Sequence, residues 1–254
     1  MARYQLTLVY DGTDFFGSQR QAKSRTVQGE LEKALNKLGW IGRSVILSGR
    51  TDTGVHATGQ VASFDLDWSH SEAKLIGALN SELPPDLSVQ TARIVHDKFH
   101  PRFDATSRSY QYRLFCQPIR DPIREHFAWR VWPAINPDAL GHFAKLFLGT
   151  HDFSAFGSRT TPKGGTVRTV VKAEWTQTGE AKDEWRFEVQ ADAFLYRMVR
   201  KLVFVQVAAA QGKVLAETIT SALVKPATAK IPAGLAPAHG LTLVQVTYDE
   251  SIGK

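Results

Sequence analysis

Residues 48–65 read SGRTDTGVHATGQVASFD and join two stretches that have the pattern of β-strands. The preceding Val45–Leu47 is short and apolar. In the following Gln60–Leu66, apolar and polar residues alternate. Glycine, threonine and charged residues fill the first half of the segment, which predicts a polar loop of about ten residues between two strands.

Asp52 is the residue of greatest chemical interest in this loop. Gly49, Gly54 and Gly59 would allow positive φ angles or close approaches of the backbone. A carboxylate in such a loop can act as a nucleophile, as a general base or as a metal ligand. Aspartate also commonly caps turns, so loop composition alone leaves all four roles open.

The composition indicates a globular protein with a mild excess of positive charge. The chain has 254 residues, a net charge of +6 and an isoelectric point near 9.4. This excess points to a polyanionic partner such as nucleic acid, although a basic surface also serves solubility. Cys116 is the single cysteine, so no intramolecular disulfide can form, and a reducing compartment is expected.

The sequence predicts neither a signal peptide nor a membrane-spanning segment. The chain passes from Met1 directly into an alternating pattern, so no signal peptide is predicted. The longest apolar run, Leu202–Ala210, is too short to cross a bilayer. We therefore expect a soluble, cytoplasmic protein.

The first part of the chain predicts two helices shared among four strands. The elements are a strand at Tyr4–Tyr10, a helix from the cap Thr26 to Gly39, strands on both sides of the loop, a helix from Ser71 to Pro84, and a strand at Leu87–Val95. This order favours an α+β half with its sheet covered on one face.

The alternation of predicted strands and helices is interrupted at Phe99–Asp104. We therefore expect a boundary here between two halves, residues 1–103 and 104–254. The second half predicts strands at Thr106–Cys116, Val167–Trp175, Glu184–Ala191 and Leu241–Tyr248, and helices at Pro137–Gly149, Met198–Gln211 and up to Leu223. It too interleaves strands with helices.

Two clusters in the second half are candidates for a functional role. Arg108, Tyr110, Tyr112 and Arg113 lie on one strand, where they could stack and pair with nucleic acid, although one tyrosine is expected in the sheet core. Arg200 stands where a helix begins and could form a buried pair. Its neighbours Arg197 and Lys201 suit a solvated helix face.

The sequence argues against metal and nucleotide cofactors. His96 and His100 have helical spacing, but Pro101 follows and no third ligand is near, which disfavours zinc. No phosphate-binding glycine motif follows a strand, so no nucleotide cofactor is expected.

Motifs in the same order as those of a known family run through nearly the whole chain. Gly49-Arg50-Thr51-Asp52-Thr53-Gly54-Val55-His56-Ala57 resembles the signature of the tRNA pseudouridine synthase A family. Further similar segments are Tyr10-Asp11-Gly12, Phe16-Gly17, Gln19, Thr26-Val27-Gln28, Phe99-His100, Arg102-Phe103, Arg108 with Tyr110 and Tyr112, His151–Phe156, Phe194-Leu195, Met198-Val199-Arg200 and Ala236–Leu241.

The resemblance implies an α+β protein of two ferredoxin-like halves, with antiparallel sheets flanking a central catalytic cleft. It implies an isomerase that converts uridine to pseudouridine at positions 38, 39 and 40 of the tRNA anticodon stem-loop. It also implies a homodimer that binds tRNA and needs neither cofactor nor metal.

The resemblance assigns roles to five residues. Asp52 matches the nucleophile, Tyr110 the tyrosine that stacks on the target base, and Arg200 the arginine that pairs with the aspartate. Arg50 matches the residue that fills the space left by the flipped nucleotide, and Leu241 an apolar wall of the uracil pocket. Flipping is required because C1′ and C5 are inaccessible inside a stacked stem.

The chain departs from the family pattern at a few positions. Ser18 stands where the family usually has tryptophan, and Lys201, Leu202 and Phe204 replace the more usual asparagine, isoleucine and glycine. These departures leave Asp52, Tyr110 and Arg200 in place, so activity is expected.

Two other functions fit parts of the pattern. A non-catalytic RNA-binding protein would not depend on Asp52. A metal-dependent hydrolase would need carboxylates near it, and Asp65 and Asp67 are the nearest in sequence. The basic residues that would contact RNA are expected in loops, with Arg20, Lys23, Arg25 and Lys163 as candidates.

Overall fold

The structure is a computed structural model that describes residues 1–159, 161, 164–179 and 182–249. Its internal contacts divide the chain into two units. The first comprises residues 1–107 together with the chain from Thr242 onward, and the second comprises residues 108–241.

The first unit is a sheet with two helices. Its elements are β1 (Ala2–Tyr10), α1 (Val27–Lys37), β2 (Ile46–Leu47), β3 (His56–Leu66), α2 (Glu72–Glu82) and β4 (Leu87–Val95), together with most of β10 (Leu241–Tyr248). The strand order is β4-β1-β3-β10, and β2 pairs with β3.

Both helices of this unit begin at the predicted caps. The Thr26 side chain accepts a hydrogen bond from the Gly29 amide, and the Ser71 side chain accepts one from the Lys74 amide. These caps satisfy amide groups that have no partner within the helix. The periodic leucines of α1 and α2 are fully buried, as their spacing predicts: Leu31, Leu35, Leu75 and Leu79.

Strand β3 is longer and more buried than the sequence suggests. It begins at His56 rather than Gln60, so the polar loop is shorter than expected. Alternation predicts one buried face, yet Val61 and Ser63 on the opposite face are buried as well. Both faces of β3 are therefore covered between Val61 and Phe64.

Gly59 lies where the backbones of β3 and β10 come close together. A Cβ atom at this position would lie 2.1 Å from the carbonyl oxygen of Val244. We expect Gly59→Ala to lower the free energy of unfolding by about 2 kcal/mol, because a backbone atom cannot move aside cheaply.

Urea unfolding followed by circular dichroism measures this effect, with Gly77→Ala as the control. Gly77 lies exposed in α2, with open space at its Cβ position, so alanine should stabilise that helix by up to about 1 kcal/mol. Equal stability of Gly59→Ala and the wild-type protein would contradict the close approach.

The second unit also combines a sheet with helices. Its elements are β5 (Ala105–Cys116), β6 (Trp129–Val131), α3 (Pro137–Lys145), β7 (Gly149–Asp152), β8 (Val167–Thr178), β9 (Glu184–Ala191), α4 (Met198–Ala210) and α5 (Ala216–Val224). The first three residues of β5 are grouped with the first unit. The strands of the second unit run in the order β7-β8-β9-β5, with β6 also on β5.

Most elements of this unit match the predicted ones. The sequence analysis missed β6 and β7, because β6 lies in an irregular proline-containing stretch and β7 is a short strand with a largely polar sequence. Strand β8 continues beyond Trp175 to Thr178. The sequence also predicts a turn at Thr178-Gly179-Glu180; Thr178 is instead the last residue of β8, and Glu180 lies outside the described residues.

The predicted α+β class is confirmed, with two differences in detail. Most strand pairs are antiparallel as expected, but β10 pairs in parallel with β3, and β6 pairs in parallel with β5. The division at 103/104 also differs from the contact-based one. The last strand belongs almost entirely to the first unit, because it pairs with β3 at His56 and Ala57.

Candidate active site

Asp52 lies on the short loop that connects β2 to β3 in the first unit. The Val55 amide donates to the Asp52 carbonyl over 3.1 Å and closes a turn, in which Gly54 has a φ of +77°. Asp52 is half-buried and Arg50 is exposed. The loop therefore presents both side chains from a constrained backbone.

Thr51, next to Asp52, is held at three atoms. Its amide donates to the Ser18 hydroxyl over 2.8 Å, and its carbonyl accepts from the Ser18 amide over 3.1 Å. Its own hydroxyl lies 2.9 Å from the hydroxyl of Tyr10. These contacts anchor the loop to β1 and to the segment that precedes α1.

Gln60 holds the beginning of the same loop. Its amide nitrogen donates to the Gly49 carbonyl over 3.0 Å, and its amide oxygen accepts from the Ser48 hydroxyl over 2.7 Å. The nitrogen also lies 3.4 Å from the Tyr10 hydroxyl. Gln60 is fully buried, so these groups replace water as its hydrogen-bond partners.

His56 belongs to β3 rather than to the loop. Its Nδ1 accepts from the Gly12 amide over 3.0 Å, and Oδ1 of Asp11 lies 3.1 Å from the same nitrogen. Both contacts fix the position of the His56 ring, and Oδ1 of Asp11 also accepts from the amide and hydroxyl of Thr13.

The carboxylates that a hydrolase would require are engaged or exposed. Asp65 forms two hydrogen bonds of 2.8 Å with Arg3, which lowers the pKa of its carboxyl group, and Asp67 is 93% exposed. Within the described ranges, no group of three or more histidine, cysteine, aspartate or glutamate side chains could hold a metal ion. The hydrolase interpretation thus gains no support.

Tyr110 and Tyr112 of β5 occupy different environments in the second unit. Tyr110 is half-buried, and its ring meets that of Phe194 edge to face with centroids 5.2 Å apart. Tyr112 is fully buried and donates its hydroxyl to the Pro237 carbonyl over 2.9 Å. Tyr112 is therefore the core tyrosine that the sequence analysis expected.

Arg200 lies in the first turn of α4 and is bound to Ala236. Its Nε donates to the Ala236 carbonyl over 2.8 Å, and its carbonyl accepts from the Ala236 amide over 3.2 Å. Burial raises the pKa of the Tyr112 hydroxyl well above its ordinary value, and the nearby positive charge of Arg200 opposes that rise.

Lys201 corrects one expectation, because it does not lie on a solvated helix face. Its ammonium group donates to the carbonyls of Pro232 and Gly234, and burial lowers its pKa. The Phe204 ring packs against Gly234. These two departures from the family pattern thus both contact the segment that leads to Ala236. Arg197, in contrast, is exposed as expected.

Leu241, the fifth predicted site residue, is buried at the start of β10. Asp52 and Arg50 therefore share one loop of the first unit, while Tyr110, Arg200 and Leu241 belong to the second. The sequence analysis missed the supporting roles of Ser18, Tyr10 and Gln60. The sequence signals for them were indirect: Ser18 departs from the family pattern, and Gln60 begins the alternating stretch Gln60–Leu66.

The family model and the similar proteins that match this chain all carry the description tRNA pseudouridine synthase. The model of a family described as tRNA pseudouridine synthase matches residues 8–104 and 143–249. A protein of Maridesulfovibrio salexigens named tRNA pseudouridine synthase A is 40% identical over 252 residues, which cover 99% of this chain and 92% of that protein. A protein of the same name from Bacillus subtilis is 38% identical over 250 residues, 97% of this chain and 99% of that protein.

A third relative of that name, from Solidesulfovibrio magneticus, is 42% identical over 254 residues, 98% of this chain and 92% of the relative. Among solved structures, a chain from "Crystal Structure of a Cbf5-Nop10-Gar1 Complex" matches with a TM-score of 0.38 and 13% identity, over 94% of this chain and 48% of the other. A score that low supports no inference.

Proposed function

This chain belongs to the tRNA pseudouridine synthase family, and from that premise we propose that it isomerises uridine to pseudouridine at positions 38, 39 and 40 of the tRNA anticodon stem-loop. The observation that carries the proposal is Asp52, which lies half-buried on a loop held by buried hydrogen bonds. A carboxylate held this way can act on a substrate without first becoming ordered.

The reaction breaks the bond between N1 of uracil and C1′ of ribose and forms a bond between C5 and C1′. C5 loses a proton and N1 gains one, so the change is an isomerisation that needs no oxidant. The Asp52 carboxylate can attack C1′, assist formation of a glycal, or attack C6 of uracil, and all three routes remain open.

The other site residues have distinct proposed roles. Tyr110 stacks on the uracil and moves its C5 proton, and Leu241 forms an apolar wall of the uracil pocket. Arg200 pairs with Asp52 and keeps it charged and oriented. Arg50 is exposed, as a side chain that fills the space left by a flipped nucleotide must be. Flipping costs on the order of a few kcal/mol.

Tritium release tests the proposed activity. The substrate is a tRNA anticodon stem-loop labelled at C5 of uridine, because isomerisation exchanges that hydrogen with water. Release by the purified protein without added metal supports the proposal, and mapping the modified nucleotides tests positions 38, 39 and 40. Absence of release would exclude the isomerase, whereas a metal requirement would favour the hydrolase.

We expect the binding of tRNA to weaken steeply with salt. Each phosphate contact releases bound counterions, so the logarithm of the affinity should fall linearly with the logarithm of the salt concentration. Titration by fluorescence anisotropy between 50 and 200 mM salt, a range over which several contacts cost about 10³-fold or more, measures the slope. Affinity that does not change with salt would contradict phosphate recognition.

The basic loop residues proposed for these phosphate contacts differ in their ion pairs and in their exposure. Arg20 is paired with Glu32 over 2.7 Å, and Arg25 makes two hydrogen bonds of 2.7 Å with Asp86. Lys23 is exposed. Lys163 lies outside the described residues. Lys23 is therefore a better candidate for a phosphate contact than Arg25.

Two further proposals come from the sequence: the first from the family resemblance, the second from the reducing compartment that a single cysteine suggests. The protein acts as a homodimer, which light scattering of the purified chain tests, and it acts in the cytoplasm. In the part of the chain that the structure describes, no helix is long and apolar enough to cross a membrane.

A further inference from the structure

We infer that Ser18, Tyr10 and Gln60 are positioning residues, which fix the backbone before Asp52 and so set the position of its carboxylate. The inference rests on the proposed role of Asp52 as nucleophile. None of the three residues needs to touch the substrate, because each acts through the loop backbone or through Thr51.

Ser18 makes the shortest link to Asp52. It is fully buried, and its hydroxyl and its amide hold the two peptide groups of Thr51 at 2.8 and 3.1 Å. Its carbonyl accepts from the Gln28 amide of α1 over 2.9 Å. The peptide bond that joins Thr51 to Asp52 is therefore tied to a helix through one residue.

Gly17 allows this close contact. It has a φ of +85°, and a Cβ atom there would lie 2.8 Å from the Thr51 carbonyl oxygen. The Gly17–Ser18 backbone can therefore approach the loop where a residue with a side chain would be strained.

The Thr51 amide needs a side-chain acceptor here, and the Ser18 hydroxyl supplies it. The tryptophan that the family resemblance implies at this position would not, because an indole ring is a donor that cannot accept an amide hydrogen. The serine hydroxyl accepts it directly. Replacing serine by alanine would leave a buried amide without this acceptor and would remove one of the three contacts that hold Thr51.

Tyr10 and Gln60 secure the other side of the loop. Burial raises the pKa of the Tyr10 phenol to about 12, so the hydroxyl keeps its proton beside Thr51 at neutral pH. Gln60 binds Ser48 and Gly49 through its two amide atoms. All these contacts reach the loop at or before Thr51, and none is to Asp52 itself.

Positioning predicts an effect on turnover rather than on tRNA affinity. A nucleophile displaced by about 1 Å can lose up to 10²-fold in rate, whereas the phosphate contacts that bind tRNA are unaffected. The contacts of Thr51 hold its backbone at two points and its side chain at one. Loss of a single contact should therefore lower kcat by about tenfold, with KM unchanged within a factor of about two.

The test compares Ser18→Ala and Tyr10→Phe with two matched controls in the tritium-release assay. Ser63 is a buried serine of β3 whose hydroxyl has no hydrogen-bond partner among the described residues, so Ser63→Ala should keep wild-type kcat. Tyr4 is a buried tyrosine of β1 that stacks on Phe64. Tyr4→Phe therefore controls for the loss of a tyrosine hydroxyl from the same strand.

A double-mutant cycle provides a second readout. If Tyr10 acts through Thr51, then Tyr10→Phe and Thr51→Val together should lower kcat no more than the stronger single change. Melting temperatures of all variants are measured in parallel. A lower melting temperature together with wild-type kcat in the folded fraction would show that the residue has a purely structural role, and would overturn the inference.

The inference and the proposed function fail in different ways. No tritium release by the wild-type protein would remove the proposed function. An active wild-type protein with unchanged kcat in both Ser18→Ala and Tyr10→Phe would overturn the positioning role alone. If Ser18→Ala does not fold, Tyr10→Phe and the cycle with Thr51→Val decide the matter.

Discussion

Asp52→Asn is expected to lower the rate of pseudouridine formation by at least about 10³-fold, because a neutral amide cannot replace a nucleophilic carboxylate. Asparagine has nearly the same size and shape, so the loop held by Ser18 and Gln60 should keep its structure. Tritium release under single-turnover conditions measures the effect on the chemical step.

The control for this change is Asp67→Asn, which removes a carboxylate that is 93% exposed. Its rate should equal that of the wild-type protein. Binding of tRNA by Asp52→Asn, measured by anisotropy, should remain within a few-fold of wild type, because the phosphate contacts persist. A fully active Asp52→Asn variant would identify the protein as one that does not use Asp52 in catalysis.

Arg200→Met is expected to lower kcat by about 10²-fold, because it removes the guanidinium group that we propose to pair with Asp52. The Ala236 carbonyl holds Nε, which constrains the orientation of the planar guanidinium group. Arg200→Lys should rescue little of the loss, because an ammonium group has no second donor atom to hold the same orientation.

The matched control is Lys213→Met, which removes an exposed cation just beyond the other end of α4. Melting temperatures separate catalysis from folding, since Arg200→Met also removes the side-chain donor to Ala236. Wild-type kcat in Arg200→Met, despite a lower melting temperature, would give Arg200 a structural role only.

The secondary structure was predictable where local chemistry decides it. Thr26 and Ser71 cap their helices because their side chains can accept from amide groups a few residues ahead. Strand β9 runs from Glu184 to Ala191, as its alternating pattern predicts. Strand β7 escaped prediction, because a short polar sequence has no periodicity to detect.

The residues of the candidate site could be predicted from the sequence, but the residues that hold the Asp52 loop in place could not. Asp52, Tyr110 and Arg200 were candidates from the sequence pattern and received their roles from the family resemblance, and those roles stay predictions until the variants are measured. Ser18 was identified only as a departure from the pattern. Its hydrogen bond to Thr51 joins residues 33 positions apart, which no local pattern encodes.

The sequence by itself determined the α+β class, the helix boundaries set by caps, and the family, because these depend on local propensity and on motifs in fixed order. Only the tertiary structure decided that Tyr112 rather than Tyr110 fills the core, that Lys201 binds loop carbonyls, and that Ser18, Tyr10 and Gln60 hold the Asp52 loop. Burial and hydrogen-bond partners arise from residues distant in the chain, so they exist only once the chain has folded.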